Sequence, residues 1–325
     1  MVVTAHPFFS PNHSFIFPPT RKQTMSSEGE PVWVQIQKRT FTNWVNIQLI
    51  ERDMRVDDLQ TDFMDGVSLI NLVELLSKGS VGPYSKRNSV ASASQTTNAR
   101  QFARNAQANI DIALKYLTEK QGIKLVNVSA YDFAEGNLRI ILGVIWSLIL
   151  KYQIQEGGDK NFKDYKVDLL AWVRSVIGPS TAYGLDITNF KGDWADGKAL
   201  AALVDAFAWR SYEDWNDPAE SIDRNTRAVT AAQEKLGIPG ILAPKDVGLD
   251  DLSLLCYLDY FYDFAKKRPV TVRPAGTGYG RTLVDGKELG GGAGGAGGSG
   301  SPEPAWKIMQ REMKAKYQNV RLTWH

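Results

Sequence analysis

The feature that most constrains the fold is an internal repeat, in which residues 62–66 recur at residues 193–197. Both copies read Asp-x-x-Asp-Gly and continue into the same apolar pattern. The identical pairs, all at one offset, are Asp62 and Asp193, Asp65 and Asp196, Gly66 and Gly197, Leu69 and Leu200, Leu72 and Leu203, and Val73 and Val204. At ~150 residues per domain, the 325 residues also suggest two domains. We therefore expect two homologous domains of roughly 110–120 residues.

Apolar residues between about residues 32 and 268 follow a helical period. Phe41, Trp44, Val45 and Leu49 fall at i, i+3, i+4 and i+8, which places them on one face of a helix. Similar spacing predicts further helices from Phe102, Ile110, Leu114 and Leu117, and from Phe162, Leu169, Leu170, Val173 and Ile177. The sequence lacks the sustained alternation that is typical of strands. These patterns predict an all-α fold with two tandem helical domains.

Short motifs predict how the helices begin and end. Asp65 and Asp196 precede apolar helical runs, so their carboxylates are expected to accept backbone N–H bonds in the turn rather than to act as catalytic acids. Gly66 and Gly197 allow close approach or a positive φ. A further glycine, in Gly122-Ile123 and Gly237-Ile238, is expected to end a helix in the left-handed conformation.

Composition predicts the segment boundaries. We expect a disordered N-terminal arm at 1–31, a first domain at 32–155, an inter-domain linker at 156–160, a second domain at 161–268, a flexible Gly-rich linker at 269–301 and a short basic amphipathic segment at 302–325. Trp306, Met309 and Met313 in the last segment have helical spacing. Self-association or a protein partner is the favoured role for 302–322, a membrane surface is a weaker one, and a plain tail is the alternative.

The scarcity of reactive side chains excludes most enzyme classes. Cys256 is the single cysteine, and the histidines, His6, His13 and His325, all lie near the termini. Ser-His-Asp triads, Cys-His pairs and most zinc sites are therefore not expected in the folded part. We find no nucleotide-binding or hydrolase motif, and expect no enzyme activity, cofactor, metal or nucleic-acid partner. A single cysteine also fits a reducing, intracellular setting.

Two long motifs resemble the tandem calponin-homology (CH) actin-binding domain of filamins, α-actinins, spectrins and cortexillins. Residues 37–46, Gln-Lys-Arg-Thr-Phe-Thr-Asn-Trp-Val-Asn, are similar to the first actinin-type signature. Residues 124–149, from Lys-Leu-Val-Asn-Val to Ile-Trp-Ser-Leu-Ile, are similar to the second. The resemblance covers about residues 32–268 and implies a filamin-like cytoskeletal protein of the cytoplasm and cell cortex. It also implies binding to the side of F-actin, mainly through the first domain, while the second tunes the affinity.

The resemblance also implies which residues meet actin. In the opening helix of the first domain, the members expected to face solvent and contact actin are Lys38, Arg39, Thr42 and Asn43, although a merely solvated face is the alternative. In the first domain's last helix and the segment before it, the candidates are Lys124, Asn137, Trp146 and Ile149. A weaker role falls to Lys163 and Lys166 in the first helix of the second domain. The first domain, at net +3, is more basic than residues 156–268, the second domain with its linker, at net −5, which fits an acidic partner for the first.

Contact between the domains is expected to involve Trp146 and Leu252. Leu252 stands where α-actinin-like members have a lysine over the tryptophan, so only apolar contact is expected at that position. Ser89 follows Lys86 and Arg87 in a polar loop and is a possible phosphorylation site. A CH-domain signalling scaffold that binds other proteins is the alternative function.

Overall fold

A computed structural model shows the fold and describes residues 29–86, 96–155, 161–208 and 215–267, together with strand residues at 271–272, 281–284 and 287–288. Several predicted features lie outside those residues, namely nearly all of the N-terminal arm, Ser89, the linker at 156–160 and the segment at 302–325. Among the helices described, none is long and apolar enough to cross a membrane.

The described helices of the first domain are α1 (Val32–Leu49), α2 (Leu59–Asp62), α3 (Val67–Ser77), α4 (Thr96–Lys115), α5 (Ala130–Ala134) and α6 (Leu138–Ile149). A 3₁₀ turn, Ile50–Arg52, follows α1, and π-helical turns extend α4 over Tyr116–Lys120 and α6 over Leu150–Ile154. Local sequence explains some of the starts. Asp58 caps α2 by accepting from the Gln60 amide, and Ser129 and Asp132 form a reciprocal capping box on α5.

The described helices of the second domain are α7 (Phe162–Ile177), α8 (Lys198–Ala208), α9 (Ser221–Ala231) and α10 (Asp251–Lys266). A π-helical turn, Ala232–Leu236, extends α9, and 3₁₀ turns occupy Gly192–Trp194 and Pro244–Asp246. Asn161 caps α7 by accepting from the Asp164 amide, and Asp250 caps α10 by accepting from the Ser253 amide.

The repeated Asp-Gly motif forms the same turn in both domains, as the sequence predicts. Asp65 Oδ1 accepts from the Val67 amide at 2.9 Å, and Asp196 Oδ1 accepts from the Lys198 amide at the same distance. Gly66 and Gly197 have φ of 74° and 77°, in the region that favours glycine. A Cβ on Gly66 would lie 2.7 Å from Cβ of Asn109 on α4. The glycine therefore allows both the turn and the close approach of α4.

The apolar faces predicted from helical spacing form the core. Phe41, Trp44, Val45 and Leu49 are all almost completely buried. Phe102 is an exception, since it is 47% exposed. The all-α fold with two tandem helical domains is confirmed for these helical parts of the chain.

Three short strands follow the second domain, which the sequence analysis did not predict. They are β1 (Thr271–Val272), β2 (Arg281–Val284) and β3 (Lys287–Glu288), and they form an antiparallel sheet in the order β1-β2-β3. Two residues, Asp285-Gly286, separate β2 from β3, and this dipeptide is typical of tight hairpin turns. The strands fall within residues 269–301, for which a flexible linker is expected.

Candidate functional site

The helix α1, which carries the first motif, packs against the second domain. Arg39 forms a two-point ion pair with Asp246, with Nε 2.9 Å from Oδ2 and Nη2 2.7 Å from Oδ1. The Arg39 side chain keeps 22% of its exposure, whereas Asp246 keeps 3%. Planar pairing of this kind joins the two side chains in one orientation. Arg39 therefore fixes α1 against the 3₁₀ turn at Pro244–Asp246.

Two uncharged side chains of α1 extend the same contact. Gln37 Nε2 lies 3.2 Å from both carboxylate oxygens of Asp250. Asn43 Nδ2 donates to the Ile241 carbonyl oxygen at 3.1 Å. Asp250 also accepts from the Ser253 amide at 2.9 Å, so the same carboxylate starts α10 and holds α1.

Gln153, in the π-helical turn after α6, joins both domains through one amide group. Its Oε1 accepts from Trp44 Nε1 at 2.6 Å. Its Nε2 donates to the Cys256 carbonyl oxygen at 3.1 Å and to Asp259 Oδ2 at 2.9 Å. The second carboxylate oxygen of Asp259 accepts from the Tyr165 hydroxyl at 2.5 Å. Gln153 thus connects the core tryptophan of α1 to the middle of α10.

An aromatic contact joins the domains next to these hydrogen bonds. The Trp146 ring stacks on Phe41 of α1, with centroids 6.0 Å apart. Its edge contact with Phe162 of α7 has a centroid distance of 5.4 Å. This places Trp146 between the domains, where the sequence analysis expects it. Leu252 is partly buried against the apolar core, and its contact with Trp146 stays a prediction. We call the side chains of these polar and aromatic contacts the inter-domain contact.

The expectation that residues of α1 face solvent is wrong for Thr42 and Asn43, which are 4% and 1% exposed. Arg39 is partly exposed and paired with Asp246. Lys38 is also partly exposed and bonds to Asp58 at 2.7 Å within its own domain. The second domain contacts the polar side of α1 at Arg39 and Asn43. Helical periodicity identifies only the apolar side, because an apolar core is what the pattern detects.

Two further candidates are also buried. Ile149 is fully buried and Trp146 is 7% exposed. Neither presents a surface in this arrangement of the domains. A helix that is apolar around most of its circumference buries all of those faces. In α6, part of the apolar surface packs in the core of the first domain, and Trp146 packs against Phe162 of the second domain.

Other candidates are exposed. Lys124 lies in the loop after α4, Asn137 is the residue before α6, and Lys163 lies in the first turn of α7. Lys166 is half-buried, with Nζ 3.2 Å from Asp251 and within 6 Å of the ring centroids of Phe162 and Phe190.

The sequence analysis missed two exposed apolar residues in the same part of the first domain. Val126 and Tyr131 are each 61% exposed, and they lie in sequence between Lys124 and Asn137. Exposure of a single apolar side chain is common. Here two exposed apolar residues lie between two exposed polar candidates, so residues 124–137 present both polar and apolar side chains to solvent. The second motif itself was the signal that could have found them, since both residues lie within it.

Burial at the inter-domain contact changes the titration of the second domain's acids. Burial raises the pKa of the Asp259 carboxyl to about 6, and hydrogen bonds from Tyr165 and Gln153 offset this in part. Burial also raises the pKa of Asp250 above its usual value, against the lowering effect of bonds from Ser253 and Gln37. The Cys256 thiol has a raised pKa for the same reason.

The described residues offer little for catalysis or metal binding. They contain no group of three or more His, Cys, Asp or Glu side chains that could hold a metal ion. A groove on the second domain, lined by Lys166, Val167, Leu170, Phe190 and Lys191 among others, is open to solvent.

Comparison with known proteins identifies the family of each of the two domains. The model of the calponin homology (CH) domain family matches residues 35–154 and again residues 163–267. Filamin-C of Rattus norvegicus is 36% identical over 241 residues, covering 70% of this chain and 8% of its own length. Microtubule-actin cross-linking factor 1 of Homo sapiens is 32% identical over 259 residues, covering 78% of this chain and 3% of its own length.

A solved structure shares the fold. The actin-crosslinking core of Schizosaccharomyces pombe fimbrin matches with a TM-score of 0.52 at 18% identity, over 71% of this chain and 50% of the other. This chain therefore spans only a small part of the curated relatives that it matches and half of the fimbrin core. The two family matches, one per domain, show that the chain belongs to the calponin homology family and carries two CH domains in tandem.

Proposed function

We propose that this chain binds the side of F-actin through its first CH domain, and that the second CH domain tunes the affinity. The observation that carries the proposal is the contact of α1 with the second domain through Gln37, Arg39 and Asn43. α1 bears the first actinin-type signature, so the second domain controls how much of that signature a filament can reach. A filament that binds better to the separated domains shifts the equilibrium toward separation by its difference in affinity.

The comparisons support an actin partner. Actin appears in the names of microtubule-actin cross-linking factor 1 and of the actin-crosslinking core of fimbrin. The fimbrin likeness supports the fold only, and both relatives are longer than this chain. Filament cross-linking, a place in the actin cytoskeleton at the cell cortex, and self-association or a protein partner at 302–322 are accordingly further parts of the proposal. A weak membrane affinity of that segment is an outcome to test beside them.

We call the arrangement in which the two domains are in contact the closed arrangement. In it, the exposed residues of the first domain include Lys124, Val126, Tyr131 and Asn137. We propose that residues 124–137 make the initial contact with the filament. Lys124 would meet acidic groups on actin, and exposed charge contacts of this kind are screened over ~8 Å at physiological salt. Lys163 and Lys166 have the weaker role, since Lys166 is already paired with Asp251.

Co-sedimentation with F-actin tests the proposal directly. We expect the full chain to pellet with filaments and to bind less tightly as salt is raised. Lys124→Glu should weaken binding several-fold, whereas Lys115→Glu, the same charge change at an exposed position of α4, should bind as the wild type does. A wild-type chain that stays in the supernatant at low salt would contradict F-actin binding and favour the alternative, a scaffold for other proteins.

A further inference from the structure

We propose that the contact between the two CH domains is proton-sensitive, so that acidification holds the second domain against α1 and higher pH favours its release. The inference concerns the domain contact alone and does not depend on filament binding. Two buried aspartates of the second domain carry it, namely Asp250 and Asp259, which accept hydrogen bonds from Gln37 and Gln153 of the first domain. They are 4% and 5% exposed, and a third aspartate at the same contact, Asp246, is 3% exposed and paired with Arg39.

The first domain neutralises these carboxylates unequally. Asp246 receives the guanidinium of Arg39. Asp250 receives the uncharged amide of Gln37, and Asp259 receives the uncharged amide of Gln153. Burying an ionised carboxylate costs free energy unless a charge or several hydrogen bonds compensate it. Closing the domains therefore desolvates two carboxylates that meet amides of the first domain, not cations.

The side chains of the first domain that bond to these two carboxylates are both uncharged. Asp250 faces Gln37 of α1, with Asp251 next to it on α10 adding like charge. Asp251 is itself paired with Lys166 of α7. The groups that act on Asp259 are Tyr165 from α7, Gln153 from the first domain, and Cys256, Asp263 and Lys266 from α10. Lys266 favours the ionised form of Asp259 and Asp263 disfavours it, after the larger effect of burial.

The direction of the pH effect follows from solvation. Separation of the domains removes Gln153 and admits water to Asp259, which returns the pKa of Asp259 from about 6 toward the ordinary value of a solvated aspartate, 3.8. A group whose pKa is higher in the closed state binds more protons there, so the closed state gains stability as pH falls through that value. Asp250, whose pKa burial also raises, acts in the same direction. The closed state loses this added stability when the pH rises above the raised pKa values, in the neutral range.

The size of the effect can be stated for Asp259 alone. With pKa values of about 6 closed and about 3.8 open, lowering the pH from about 7.5 to about 5.5 should favour the closed state about fourfold. Any contribution from Asp250 adds to this factor.

The single cysteine provides the measurement in the full chain. Cys256 is buried, and its Sγ lies 3.9 Å from Oε1 of Gln153, so separation of the domains exposes it. The rate of thiol labelling, divided by the rate for the unfolded chain at the same pH, reports the open fraction. We expect this normalised rate to fall about fourfold between about pH 7.5 and about pH 5.5. A rate that is constant or rises over that range would overturn the inference, and this result needs no variant.

Variants then assign the effect to residues. Asp250→Asn/Asp259→Asn should remove the pH dependence, because each amide keeps one acceptor oxygen of nearly the same shape and does not titrate. Asp223→Asn, at an exposed position of α9, should keep the wild-type response. Gln153→Ala should speed labelling by loosening the cover over Asp259. A Gln153→Ala rate equal to wild type, or a double variant that still responds fourfold, would count against the proposed contact.

Discussion

Arg39 and Asp246 form a two-point ion pair across the domain boundary, although 207 positions separate them in the chain. Truncating Arg39 leaves a carboxylate that is 3% exposed without its cation. Removing one partner of a fully buried pair costs ~3–5 kcal/mol, and the partial exposure of Arg39 lowers that figure. We expect Arg39→Ala to weaken domain closure by about 1–3 kcal/mol, measured as increased Cys256 labelling.

A double-mutant cycle separates the pair from other effects. Asp246→Ala should also loosen the domains, and the double variant should loosen them by less than the sum of the two single changes. Additive effects would mean that the two side chains do not stabilise closure through each other.

Lys38 offers a contrast on the same helix. Its pair with Asp58 stays within the first domain and leaves 23% of Lys38 and 39% of Asp58 exposed. Such pairs contribute about 0–1 kcal/mol. Lys38→Ala should therefore lower thermal stability slightly and leave Cys256 labelling unchanged. Faster labelling in this variant would show that Lys38 takes part in domain closure after all.

Leu252 tests the apolar contact that the sequence analysis predicts between the domains. It is partly buried against the core in the first turn of α10. Leu252→Asp should separate the domains and, under the proposed function, tighten F-actin binding, because a charge is costly to bury there. Leu249→Asp makes the same change at a residue that is 51% exposed and should have little effect on either property. The measurements are Cys256 labelling and co-sedimentation; equal behaviour of the two variants would contradict the role of Leu252.

Gly66 and Gly122 allow two steric effects to be distinguished by thermal unfolding. Their φ values are similar, 74° and 68°. A Cβ on Gly66 would meet Asn109 Cβ at 2.7 Å, whereas a Cβ on Gly122 would meet nothing within 4 Å. Gly122→Ala should cost about 1 kcal/mol of stability through backbone strain alone. Gly66→Ala should cost more, by about 1–3 kcal/mol for the added overlap. Equal losses would mean that α4 moves freely away from Gly66.

The sequence predicted the features that depend on local pattern. Trp44 lies on the apolar face of α1, so spacing alone places it in the core. Asp65 accepts from an amide two residues away, and its turn with Gly66 was predicted together with the repeat at Asp196 and Gly197. The close approach of α4 to Gly66 is a long-range contact that the turn motif does not specify. The tandem domains followed from the same repeat. Each of these inferences needs only the neighbouring residues.

The domain contact was harder to predict, because its partners are distant in the chain. Asn43 is polar and stands opposite the apolar face, so it was assigned to solvent, although it donates to Ile241 of the second domain. No sequence pattern relates Gln153 to Asp259. The resemblance pointed to Trp146, and the opposite net charge of the two domains indicates attraction, but neither signal names Arg39 and Asp246.

The burial of α1 under both domains affects how fragments of this protein should be interpreted. A piece that ends at residue 155 would expose Arg39 and Asn43, and with them Gln37, to solvent. Under the proposed function, its filament affinity would include a surface that the intact closed chain conceals. Binding measurements on such a fragment would then assign to the first domain an affinity that belongs to the separated state. The affinities of the two isolated domains could not be combined to give the affinity of the intact chain.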